Sequence, residues 1–120
     1  MYIKGKESEQ VAENYLKNNG FVIHFRNKRV GRYEVDLVCE KNGVIVFVEV
    51  KSLSSDRHKK PFESVTRGKQ KKITQVANEV IHTCFPNQES RFDVISMIGG
   101  LKNYKIEHIK NAFTPEIDNY

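Results

Sequence analysis

The dipeptide Asn42-Gly43 constrains this chain most, because it sits between two strand-forming runs, Glu34-Val-Asp-Leu-Val-Cys-Glu-Lys41 and Val44-Ile-Val-Phe-Val-Glu-Val-Lys51. Both central positions of a two-residue type I′ turn need positive φ, which Asn and Gly tolerate best. A turn at that point sets the register by counting. Lys41 falls opposite Val44, Val38 opposite Phe47, Asp36 opposite Glu49 and Glu34 opposite Lys51. Hydrogen-bonded and open pairs alternate away from the turn, which predicts Asp36 and Glu49 on an open pair with Cα atoms about 4.5 Å apart. Lys51 then emerges on the same side as Glu49 by the period-two rule.

Two carboxylates so placed repel each other unless positive charge lies between them. Mg²⁺ or Mn²⁺ supplies that charge and takes carboxylate oxygens as ligands. The second run is apolar until Glu49 interrupts it, the pattern of a well-buried strand. Ionisable groups there need a partner or a function. These residues point to a metal-dependent phosphodiesterase centre. A competing reading leaves Glu49 and Lys51 as a solvated strand end, with Glu34 and Lys51 as a cross-strand ion pair worth about a few tenths of a kcal/mol.

Asp36 followed by Glu49-Val50-Lys51 resembles the D…(D/E)xK core of the restriction-endonuclease-like nuclease superfamily. The chain is more closely similar to the YraN-like family of small bacterial proteins, predicted nucleases distantly related to archaeal Holliday junction resolvases. The shared marks are Glu9-Gln-Val-Ala12, Tyr15-Leu16, Asn27-Lys-Arg29, Glu34-Val-Asp-Leu37, Val46-Phe-Val-Glu-Val-Lys51, Lys69-Gln70 and Arg91-Phe-Asp-Val94, spread over approximately residues 8 to 95. The resemblance implies an α/β fold of three layers, α/β/α, around a central mixed sheet. It also implies Asp36 and Glu49 as metal ligands, Lys51 as the catalytic lysine and Glu9 as a further acid from the first helix. The chain departs from the family at Ser8 and Tyr33, where glycine is usual, and at Ser52-Leu53-Ser54, where an arginine commonly follows the lysine.

The expected centre therefore comprises Asp36, Glu49 and a main-chain carbonyl near Val50, with Glu9 or Glu34 completing the shell directly or through water. Lys51 would orient a water or stabilise charge growing on the phosphorus. Residues 8 to 19 read as a helix, with Val11, Ala12, Tyr15 and Leu16 on one side. Glu9 lies at the edge of that stripe, where it either reaches the sheet or simply favours the helix dipole. A second helix is predicted from Arg67 to Cys84, carrying an apolar stripe of Ile73, Val76, Ala77, Val80, Ile81 and Cys84. Gln70 and Lys69 sit at its start, and one of them is expected to serve the site; Gln70 is the candidate for orienting a water or phosphate. Strands are predicted at Phe21 to Arg26, Phe92 to Ile98 and Lys102 to Ile109, with a parallel crossover through the second helix. Asp93 either supports a site cation or belongs to a strand edge. The chain reads as one domain, residues 1 to 110, followed by a tail at 111 to 120.

Charge is unevenly placed within a net +5. Arg57, Lys59, Lys60, Arg67, Lys69 and Lys72 follow Lys51, and a second group is formed by Arg26, at the end of a predicted strand, with Lys28, Arg29 and Arg32 in the loop after it. Such groups suit a phosphate backbone, which contributes affinity without specifying sequence. DNA is the expected partner, RNA remains open, and a homodimer follows only from the resemblance. His58 in the basic loop has no neighbours at ligand spacing. Neither the histidines nor Cys39 and Cys84 form a zinc pattern, and both thiols lie in apolar patterns that suit buried structural cysteines. No phosphate-binding glycine loop is present. With no apolar run long enough to span a bilayer and no leader pattern, a cytoplasmic location is the default expectation. A non-catalytic nucleic-acid module and a protein adaptor remain alternatives to the nuclease.

Overall fold

The computed structural model describes residues 5–53, 66–100 and 102–118. The described elements run α1 (Gly5–Asn18), β1 (Val22–Val30), β2 (Tyr33–Lys41), β3 (Val44–Leu53), α2 (Arg67–Cys84), β4 (Glu89–Gly100) and β5 (Asn103–Phe113). The strands lie side by side in chain order as one five-stranded sheet. Neighbours are antiparallel except β3 and β4, which are parallel, as expected of strands joined through α2.

Asn42 and Gly43 have φ values of 53° and 79°, and the pairs Lys41–Val44 and Val38–Phe47 form as counted from that turn. Alternation along β3 sends Ile45 and Phe47 to one face and Val46 and Val48 to the other. That is why the run is apolar throughout: a helix covers each face. On one side Ala12 and Leu16 of α1 pack with Leu37, Cys39, Val46, Val48, Ile95 and Met97. On the other, the stripe Ile73, Val76, Ala77, Val80 and Ile81 of α2 packs with Val38, Ile45, Phe47, Phe92 and Val94. The architecture is thus the predicted three layers around a mixed sheet.

Several boundaries move. β1 runs on past Arg26 to Val30, so Lys28 and Arg29 lie on a strand rather than in a loop, and only Gly31 and Arg32 form the turn. Pairing with β2 overrides the turn-like, charged composition there. β5 continues to Phe113, and the segment after it is stitched to α2. Asn78 donates to the Glu116 carbonyl and accepts the Asp118 N–H, and Ile117 packs on the α2 core. Cys39 is buried, and burial pushes its thiol up to about 12. Cys84 is exposed at the end of α2, contrary to the structural role expected of it. It is the last residue of the helix, with Phe85 as the C-cap, and it is Phe85 that packs on the α2 core there. Among the described residues, no helix is long and apolar enough to cross a membrane.

Asp93 is fully buried beside the strands it joins. It accepts from Arg91 at 3.0 Å and from the Asn111 N–H at 2.9 Å, and lies 2.7 Å from His108 Nε2; Tyr15 meets the other ring nitrogen at 3.0 Å. Burial alone would raise its pKa, but His108, Arg91 and Asn111 together hold it below the ordinary carboxylate value. The network ties α1 to β4 and β5 and touches neither Lys51 nor Lys69, so its role is structural. Replacing Asp93 by alanine strands Arg91 and His108. Urea denaturation of Asp93→Ala should show a loss of about 3 kcal/mol; a loss below about 1 kcal/mol contradicts this reading.

Candidate functional site

The site begins where β2 parts from β3. Both strands continue, but their pairing stops at Leu37–Val48, so the expected pairs Asp36–Glu49 and Glu34–Lys51 do not form. The cause is visible on the other edge of β2. Between the pairs Arg26–Leu37 and Lys28–Val35, Asn27 and Asp36 are left over, with Asn27 at φ 50°. Val35 and Val38, three residues apart, both pack on the α2 side while Leu37 packs on the α1 side. The period of two is therefore broken at Asp36.

Turned out of the pleat, the Asp36 carboxylate takes the place of a ladder partner: its Oδ2 accepts the Val50 N–H at 2.8 Å. A residue's N–H and C=O project to the same side of a strand. The Val50 carbonyl therefore also faces the gap between β2 and β3. From Glu49 to Leu53, β3 pairs with β4 alone, and this leaves the gap open on the β2 side.

Glu49 points to the α2 face. Lys51 Nζ lies 3.0 Å and Lys69 Nζ 2.6 Å from the same oxygen, Oε2, and the charge of this carboxylate acts on the nearby Tyr33 hydroxyl. The start of α2 positions Lys69. Thr66 caps the helix, its hydroxyl accepting the Lys69 N–H at 3.2 Å. That first turn carries Arg67 and Lys69 with no acid, an arrangement the helix dipole disfavours by about 0.3–1 kcal/mol per charge. Contact with Glu49 offsets part of this cost.

Acids surround Asp36 from both faces. Tyr33 and Val35 pack on the α2 side, so Glu34 between them points toward the α1 side. There Glu34 lies 3.8 Å from Arg29, and Glu9 of α1 accepts from Asn27 at 3.2 Å. Burial first, then the charges of Glu9, Glu49 and Glu34, outweigh the Val50 N–H and push the Asp36 carboxyl up to about 6. Burial and the same acids, Glu49 and Asp36, raise the Tyr33 hydroxyl.

The donor chemistry fits a hard divalent cation: two carboxylates, Asp36 and Glu49, beside the Val50 carbonyl. Among the described residues no three His, Cys, Asp or Glu side chains form a ready metal cage. The competing picture of Glu49 and Lys51 as a free strand end does not hold, since both are partly buried and paired.

Other expected residues fall in different places. Gln70 lines an open groove with Arg67 along the outer flank of α2. Arg26 is held in a two-pronged pair with Glu13 at 2.7 and 2.6 Å, a carboxylate it shares with Lys17. Lys28 sits over the Phe25 ring at 4.5 Å. Arg32, Arg67 and Lys72 are exposed. Arg57, His58, Lys59 and Lys60 lie outside the described residues. Sequence reasoning missed Tyr33 and Asn27 as site residues. Asn27 had a signal, being a residue type that tolerates left-handed φ inside a strand. Ser96 was also missed: it is opposite Lys51 on β4, and its buried hydroxyl lacks a partner among the described residues.

A five-stranded mixed sheet with a helix on each face is a restriction-endonuclease-like α/β fold. The profile of Uncharacterised protein family UPF0102 matches residues 8–97, and the chain belongs to that family, the YraN-like proteins. It is 39% identical to the UPF0102 protein BF0634 of Bacteroides fragilis over 94% of this chain and 93% of the relative. It is 42% identical to a UPF0102 protein of Persephonella marina over 93% and 94%, and 41% identical to one of Clostridium beijerinckii over 91% of each. These names state no activity.

The raised Asp36 pKa has a stability signature. Between about pH 4 and 6 the folded chain holds a proton that the unfolded chain has released, so stability without metal falls as pH rises through this window. A shift of this size corresponds to about 3 kcal/mol. Glu13, held at about 2 chiefly by its hydrogen bond from Arg26, acts with the opposite sign only below about pH 4.5. Urea unfolding in EDTA should show the wild type losing stability from pH 5 to pH 7, and Asp36→Asn losing much less. Equal pH slopes would contradict the assignment.

Proposed function

We propose that this chain is a metal-dependent phosphodiesterase that cuts nucleic acid, DNA in the first instance. The observation that carries the reading is the Asp36 carboxylate on the Val50 N–H, which ends the β2–β3 pairing and gathers Asp36, the Val50 carbonyl, Glu49, Lys51 and Lys69 at one opening. Asp36, Glu49 and the Val50 carbonyl would hold Mg²⁺ or Mn²⁺, with Glu9 or Glu34 contributing through water. When bound, the ion supplies Lewis acidity toward the phosphodiester and lowers the pKa of a ligated water.

The chain's own residues do the rest. Lys51, held 3.0 Å from Glu49, is directed at the opening, where it orients the attacking water and balances charge growing on the phosphoryl oxygens. Lys69 adds a second cation to the same place, anchored by the capped start of α2. Water oxygen bonds to phosphorus, the bond to the 3′ oxygen breaks, and that oxygen takes up a proton. The products are 5′-phosphate and 3′-hydroxyl ends. Arg32, Arg67 and Lys72 are exposed cations that suit backbone contacts flanking the cut. A homodimer would provide two such centres for paired cuts.

One observation favours a second reading. Lys51 and Lys69 already balance Glu49, so the acids can persist in a nucleic-acid-binding module that never cuts. Labelled branched, flapped, single-stranded and duplex DNA, with and without Mg²⁺ or Mn²⁺, separates the two. The phosphodiesterase predicts cleavage that requires metal and falls about 100-fold or more in Glu49→Ala and Lys51→Ala, both still folded by circular dichroism. Salt-sensitive binding without cleavage in any condition identifies the binding module.

A further inference from the structure

Tyr33 has a second surface. Besides meeting Glu49, it walls a pocket of about 400 Å³ completed by Val30, Gly31, Arg32, Lys72 and Gln75. The pocket is made by the β1–β2 turn and the second and third turns of α2, and β2 leads from that turn to Asp36. Gly31 adopts φ 61°, and nothing lies within 4 Å of where a Cβ would stand. Arg32 and Lys72 are exposed and make no ion pair among the described residues, so two uncompensated cations frame the mouth.

These parts match one kind of ligand. Tyr33 and Val30 offer an aromatic and an aliphatic surface to a flat base, Gln75 offers an amide donor and acceptor to its polar edge, and Arg32 and Lys72 offer charge to phosphate. The volume lies within the range of pockets that enclose small molecules. A base inside a duplex cannot enter without leaving its stack and its partner, at a cost of a few kcal/mol, whereas an unpaired base enters freely.

We propose that this pocket receives an unpaired nucleotide next to the phosphate at the acidic centre, its base against Tyr33 and its phosphates between Arg32 and Lys72. The placement next to the cut rests on the phosphodiesterase reading. The pocket then makes the substrate class a strand with an unpaired nucleotide, such as a flap, gap or branch, rather than continuous duplex.

The test measures binding apart from cleavage. In EDTA, fluorescence anisotropy compares the protein's affinity for a blunt duplex with that for the same duplex carrying a one-nucleotide 2-aminopurine flap. The flap should bind about tenfold more tightly, the size of effect one stacked base gives, with the 2-aminopurine emission quenched. Tyr33→Leu should abolish the preference and the quenching, while Tyr33→Phe, which keeps the ring, retains both. Because Tyr33 touches the core, the exposed-site variant Arg32→Ala/Lys72→Ala serves as the second arm and should weaken flap binding at least threefold more than duplex binding.

Equal affinity for flap and duplex, a preference unchanged by Tyr33→Leu and by the double variant, or displacement of the flap by an acidic hexapeptide at equal concentration would each overturn the proposal. A parallel Mg²⁺ reaction separates the two readings. Cleavage with no flap preference leaves the phosphodiesterase and removes this pocket; flap preference without cleavage does the reverse.

Discussion

One hydrogen bond organises this molecule's opening: the Val50 N–H given to a side chain instead of a strand. An antiparallel pair normally satisfies its backbone groups by continuing its ladder, and a buried N–H left over is costly. Asp36 removes that cost while letting β2 and β3 separate. The separation in turn exposes the edge of β3 beside Glu49. Burial first, and then the charges of the neighbouring acids, hold the Asp36 proton more tightly than usual.

The two buried carboxylates show how differently the same group can be used. Asp93 is surrounded by Arg91, His108 and the Asn111 N–H, so it stays ionised and ties the far strands and α1 together. Among the described residues Asp36 accepts from the Val50 N–H, and it faces acids on both sides of the sheet. Completing the shell of the first gives rigidity; the second is left short of positive charge. Lys51 and Lys69 reach Glu49 but neither is bonded to Asp36. Residual negative charge is thus concentrated where the backbone is open.

Much of the fold was legible because its signals are local. Asn42-Gly43 dictated the turn and its register, and the stripe from Ile73 to Ile81 dictated α2 and its buried face. The apolar run Val44 to Val48 announced a strand covered on both sides. What failed was extrapolation along the hairpin. Counting from the turn assumes an unbroken pleat, and the left-handed Asn27 opposite Asp36 breaks it. The acids meet at one opening, but by a sideways swing of Asp36 rather than by facing across a ladder. Composition was the weaker guide: the basic stretch from Arg26 forms a strand, and Arg26 itself is spent on Glu13. Tyr33 was legible only as an unusual residue, since its contact with Glu49 depends on how the parted strands lie.

Anomalous diffraction from crystals soaked in Mn²⁺ addresses the centre most directly, because it locates the ion without any assumption about substrate. A metal centre here requires one strong peak within ligand distance of an Asp36 oxygen, a Glu49 oxygen and the Val50 carbonyl. A map with no peak there, or with Mn²⁺ bound only elsewhere while Lys51 and Lys69 still hold Glu49, would contradict it.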